Sequence, residues 1–137
     1  VNRARLMDEL MRDEGVKLKP YICSAGALTI GIGRNLDANG ISIAEAEVLA
    51  NNDIDRCMAE LDKALPWWRS LNDTRQRALV NMCFNLGISR LLQFKRTLNA
   101  LEDGRWDDAA DAALESRWAT QVGQRATRIA RMLRSGS

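Results

Sequence analysis

A chain of 137 residues carrying a net charge of +2 is sized for one domain with its own core, and its charge is too balanced for binding a polyanion over the whole surface. It contains no histidine, which removes the commonest general base, the Ser-His-Asp arrangement and most catalytic zinc sites, so any chemistry must run on carboxylates, hydroxyls or thiols. The three cysteines, Cys23, Cys57 and Cys83, are widely spaced with no C-x-x-C pair, and they support neither a disulfide framework nor a zinc ribbon.

Residues 2–13 place Leu6, Leu10 and Met11 among charges, which predicts a short amphipathic helix that Gly15 ends just after Glu14. A carboxylate at that end faces the negative pole of the helix dipole, which disfavours its ionised form, the direction a general acid needs. Residues 16–36 alternate around Pro20, Gly26, Gly31 and Gly33, predicting two or three short antiparallel strands. The ribbon would bring Tyr21, Cys23 and Thr29 back toward Glu14, and its glycines allow the close backbone approach that an extended polymer in a groove requires. N-L-D-A-N-G, from Asn35 to Gly40, is a turn cluster with the outline of a calcium loop, but the closing glutamate is replaced by Ala46 and no metal site is read there.

Ser42 and Glu45 have capping-box spacing, and apolar residues recur at helical intervals from Ile43 to Leu65, predicting one long helix that ends near Pro66. Trp67 and Trp68 follow. Adjacent tryptophans can act as sugar platforms, but anchoring the helix end in the core is the commoner role of large aromatics. Asn72 or Asp73 caps the next helix, which carries Ala78, Leu79, Met82, Cys83 and Leu86 and stops at Gly87. Cys57 and Cys83 fall in apolar helical patterns and read as core thiols. Shorter helices follow over Ser89–Gln93, Lys95–Glu102 and Trp106–Glu115, and a final one after Gly123 runs through Ile129, Met132 and Leu133. Arg117, Arg125, Arg128, Arg131 and Arg134 lie in a stretch without acids; with no recognition-helix motif beside them they read as a solvated face paired with acids elsewhere, and no nucleic-acid partner is expected. The sum is an α+β architecture in one domain over residues 1–137, a small β-containing N-terminal lobe joined by a long helix to a helical lobe, with a cleft between the lobes.

The stretch from Glu14 to Gly33, E-G-V-K-L-K-P-Y-I-C-S-A-G-A-L-T-I-G-I-G, resembles the catalytic signature of the T4-type phage lysozymes, the phage endolysin muramidases. In that family glutamate, aspartate and threonine stand at the positions of Glu14, Cys23 and Thr29. Three further blocks resemble the family in the same order: R-A-L-V-N-M-C-F-N-L-G at Arg77–Gly87, G-R-W-D-D-A-A at Gly104–Ala110, and S-R-W-A-T-Q-V-G-Q-R-A at Ser116–Ala126. The resemblance implies Glu14 as the acid, Thr29 as the residue holding water or sugar on the opposite side, and Arg125 as a cation near the acid. It also implies substrate-binding roles for Tyr21, Asn35, Phe84 and Thr97, while Ala112 replaces a sugar-binding asparagine.

Cys23 is the departure. In two-carboxylate glycosidases the second group activates water or forms a glycosyl intermediate, and a thiol with an ordinary pKa of about 8.5 is mostly neutral at pH 7 unless cations such as Lys19 or Arg34 lower it. Cys23 is therefore a base or nucleophile in a hydrolase, a spacer in a lytic transglycosylase that makes anhydro ends, or part of a non-catalytic peptidoglycan-binding module. The expected activity is cleavage of the β-1,4 bond between N-acetylmuramic acid and N-acetylglucosamine, by a monomer without cofactor. No apolar stretch approaches membrane-spanning length, so no stable membrane insertion is expected. The resemblance implies synthesis in a host bacterial cytoplasm and action on periplasmic or cell-wall peptidoglycan after holin- or signal-dependent release.

Overall fold

The computed structural model describes all 137 residues, which form two compact units, Val1–Leu49 and Ala50–Ser137. With helices throughout and a three-stranded antiparallel sheet in the first unit, the architecture is α+β.

The first unit opens with α1 (Arg3–Glu14). The Asn2 side chain accepts the Arg5 amide at its start, and Gly15, at φ 78°, closes it by donating its N–H to Met11 O. The sheet follows in the order β1 (Lys17–Ile22), β2 (Leu28–Gly31) and β3 (Arg34–Asn35), with Tyr21 opposite Thr29 and Thr29 opposite Asn35. The N-L-D-A-N-G cluster forms a single helical turn, α2 (Leu36–Asn39), because Asn35 Oδ1 caps the Ala38 amide at 2.9 Å. The capping box starts α3 (Ile43–Ala64): Ser42 Oγ accepts the Glu45 amide at 3.1 Å and Glu45 Oε1 accepts the Ser42 amide at 2.8 Å. Arg34 then clamps β3 to that helix start with two bonds to the Glu45 carboxylate, at 2.9 and 2.6 Å, and one to Gly40 O.

No apolar side chain among the first 49 residues is buried; Thr29 is the one buried residue. Val16, Leu18, Ile30, Ile32, Val48 and Leu49 line an open groove of about 780 Å³ on this unit.

The core lies wholly in the second unit. α4 (Asp73–Leu86), capped by Asn72, buries Ala78, Leu79, Met82 and Cys83, and Cys57 and Leu61 of α3 are buried in the same cluster. After α5 (Ile88–Leu91), α6 (Lys95–Glu102) and α9 (Gln124–Ser135) both pack on α7 (Trp106–Leu114), whose buried alanines keep the approach close. Trp68, in the 3-10 turn Trp68–Ser70, is buried and donates Nε1–H to Asp62 at 2.7 Å, so the second tryptophan of the pair is a core anchor. A short helix missed by periodicity, α8 (Arg117–Val122), starts on Ser116, whose Oγ accepts the Ala119 amide at 3.3 Å. Arg75 is an unexpected buried cation. It stacks 3.7 Å from the Trp106 ring centroid and donates to Leu133 O and Arg134 O, tying α4 to the end of α9. No helix is long and apolar enough to cross a membrane.

Candidate active site

Glu14 is the last residue of α1, and its carboxylate lies flat on Gly33 in the β2–β3 connection. A Cβ at Gly33 would stand 2.7 Å from Glu14 Oε2 and 2.9 Å from its Cδ. Gly33 also has φ +70°, a conformation that favours glycine for a second reason. No hydrogen bond or ion pair engages the carboxylate, which leaves it open to a ligand.

The β1–β2 turn gathers Tyr21, Cys23 and Thr29. Cross-strand pairing of Tyr21 with Thr29 puts both on one face of the ribbon. The Cys23 amide donates to Ala27 O at 3.0 Å and the Gly26 amide returns to Cys23 O at 2.9 Å, closing the turn. The Cys23 sulfur is half-buried. The Ala27 N–H, then the Thr29 hydroxyl and the Ala25 N–H, hold the Cys23 thiol below its ordinary pKa by stabilising the thiolate. This corrects the cause anticipated from the sequence, because the shift comes from turn amides and a hydroxyl while Arg34 is engaged with Glu45. Thr29 Oγ1 also donates to Ala27 O at 2.8 Å. One hydroxyl proton cannot serve both partners, so we assign it to Ala27 O when Cys23 is protonated and to the sulfur when Cys23 is ionised. Cys83 is the opposite case: burial, reinforced by neighbouring Cys57, pushes its thiol up to about 12.

Asn35 spends its side-chain oxygen capping α2. The remaining predicted residues lie in the second unit. Phe84 is 45% exposed and, with Arg125, Asn81 and Met58, lines a groove of about 510 Å³. Arg125 donates from Nε and Nη2 to Asn81 Oδ1 at 3.0 and 2.8 Å, a partner that sequence reasoning did not single out. Thr97 is buried on α6 beside a separate hollow of about 520 Å³, shared with Ala112 and Trp118. Of the C-terminal arginines, Arg134 pairs with Asp107 and Asp111.

Sequence reasoning also passed over Asp37. Within the calcium-loop lookalike, its Oδ2 accepts the Leu28 amide at 2.7 Å while Asn35 caps the turn.

The α+β chain thus carries an unpaired carboxylate at the end of its first helix and a half-buried thiol on the following hairpin. Residues 11–134 match the family described as phage lysozyme, and the chain belongs to that family. It is 30% identical to the pre-baseplate central spike protein Gp5 of Enterobacteria phage T4, over 96% of this chain but 28% of that protein's length. It is 29% and 27% identical to probable T4-type lysozymes 2 and 1 of Dictyostelium discoideum, over 96% of this chain and 95% of each relative. The resemblance drawn from the four sequence blocks is thereby established at the level of the family.

Proposed function

We propose that this protein is a peptidoglycan hydrolase that cleaves the β-1,4 bond between N-acetylmuramic acid and N-acetylglucosamine, with Glu14 as general acid. The observation that carries the reading is the unpaired Glu14 carboxylate laid on Gly33, in a chain of the phage lysozyme family. In the acid form Glu14 gives its proton to the leaving glycosidic oxygen as positive charge builds at the anomeric carbon. On the water side, the Cys23 thiolate takes a proton from a water positioned by Thr29, and the resulting hydroxide closes on the anomeric carbon. Tyr21, Asn35, Phe84 and Thr97 are the proposed glycan contacts, and Arg125, fixed by Asn81, is the supporting cation.

The substrate would be reached from a host bacterial cytoplasm through a holin or an export signal. Turbidity of permeabilised Gram-negative cells should fall with the wild type and stay constant with Glu14→Gln. Equal clearing by both proteins would remove Glu14 from the chemistry. Because Cys23 replaces a carboxylate, lytic transglycosylation is the competing outcome. Products one water lighter, with anhydro ends, would establish it, and binding to sacculi without soluble sugar would mark a non-catalytic module.

A further inference from the structure

The turn carrying Cys23 and Thr29 hangs on one peptide unit, Ala27–Leu28. Its carbonyl oxygen accepts both the Cys23 amide at 3.0 Å and the Thr29 hydroxyl at 2.8 Å. Its N–H points the other way, as the two ends of a planar peptide must, and donates to Asp37 Oδ2 at 2.7 Å. The β2–β3 ladder stops at the Thr29–Asn35 pair, where the chain turns into α2. Beyond that point no strand is left to take the Leu28 amide, and the Asp37 side chain takes it instead. Asp37 is itself held in place, since it sits in the first turn of α2, which Asn35 caps.

We propose that Asp37 is a positioning residue for the reaction: by gripping the Leu28 amide it fixes the Ala27–Leu28 peptide, and through that one peptide the placement of Cys23 and Thr29 together. A carboxylate acceptor makes a short, charge-assisted bond, and drawing on the N–H of a peptide strengthens its carbonyl as an acceptor. Both functional residues hang on that carbonyl. The Ala27 N–H, which helps hold the Cys23 thiol below its ordinary pKa, belongs to the adjacent peptide, so its placement depends on the same anchor. The proposal rests on the reading that Cys23 and Thr29 serve the water side.

The test uses the full chain and two readouts. The first is the pH profile of Cys23 alkylation by iodoacetamide, which is specific because Cys57 and Cys83 are 3% and 2% exposed. The second is the initial rate of dye release from labelled peptidoglycan as a function of substrate concentration. Asp37→Ala should move the alkylation midpoint upward toward that of an ordinary thiol and lower kcat about tenfold, with KM nearly unchanged, since the loss is one of geometry at the reacting groups. Asp37→Asn, whose amide oxygen still accepts the Leu28 N–H, should stay close to wild type in both. Should Asp37→Ala not fold, Asp37→Glu, which overreaches the 2.7 Å contact, should give the same upward move. An alkylation profile unchanged in the folded variant would overturn the proposal. A shifted profile with unchanged turnover would uphold the brace and locate the failure in the catalytic reading of Cys23.

Discussion

The two units are held together by different physics. Val1–Leu49 buries one side chain, a threonine, and keeps its shape through polar contacts: onto the backbone from Asp37 to Leu28, Asn35 to Ala38, Ser42 with Glu45 and Arg34 to Gly40, and between side chains from Arg34 to Glu45. Ala50–Ser137 holds every buried apolar side chain of the protein, around α4. Sequence changes in the two units should therefore register differently. Packing defects in the second unit should cost stability, whereas lost hydrogen bonds in the first should cost geometry at the candidate site while the fold persists.

The largest effect on stability should come from the core. Leu79 is fully buried in α4, so Leu79→Ala should lower the unfolding free energy by about 2–5 kcal/mol. Leu18, at 86% exposed, should change it by less than about 0.5 kcal/mol on the same substitution. Equal losses in denaturant titrations of the two variants would erase the contrast. Next is Gly33→Ala, which sets a Cβ 2.7 Å from Glu14 Oε2 at φ +70°. The left-handed backbone should cost about 1–2 kcal/mol, while displacement of the carboxylate should lower the lysis rate about 100-fold. A rate that tracks the small stability loss alone would show that Gly33 does not seat Glu14.

The smallest effect concerns the Arg34 clamp. The Arg34 hydrogen bonds, followed by the Ser42 amide, hold the Glu45 carboxyl down to about 2 from its ordinary 4.5. A depressed carboxylate stabilises the fold above its unfolded pKa, and that contribution fades as pH falls through the folded value. The melting-temperature difference between wild type and Glu45→Gln should therefore be constant from pH 7 to about 4.5 and vanish near 2. Both partners are substantially exposed, so the difference should be modest and shrink with added salt. A difference that persists at pH 2 would mean the pair is not its source.

What the sequence reveals follows the range of the interaction. Caps and helix ends act over three or four residues, so Gly15, the Ser42–Glu45 box and Asn72 could be read directly, and the long α3 with them. Asp37 reaches Leu28 across nine residues, and no spacing rule links a turn aspartate to that amide. Arg75 reads as an ordinary helix charge because its partners lie far along the chain, at Trp106 and Leu133. α8, only six residues long, is too short for periodicity, and Ser116 was its one available sign. For the candidate site, the resemblance supplied the proposal of Glu14, Cys23 and Thr29. The source of the lowered Cys23 pKa was not legible, because main-chain N–H groups leave no mark in residue types.

The most direct test is mass spectrometry of the soluble fragments released from purified sacculi by wild type and Glu14→Gln, matched for folding by circular dichroism. The account predicts disaccharide muropeptides carrying a full added water from the wild type, and none above background from the variant. Equal release from both, or release from neither, would contradict it.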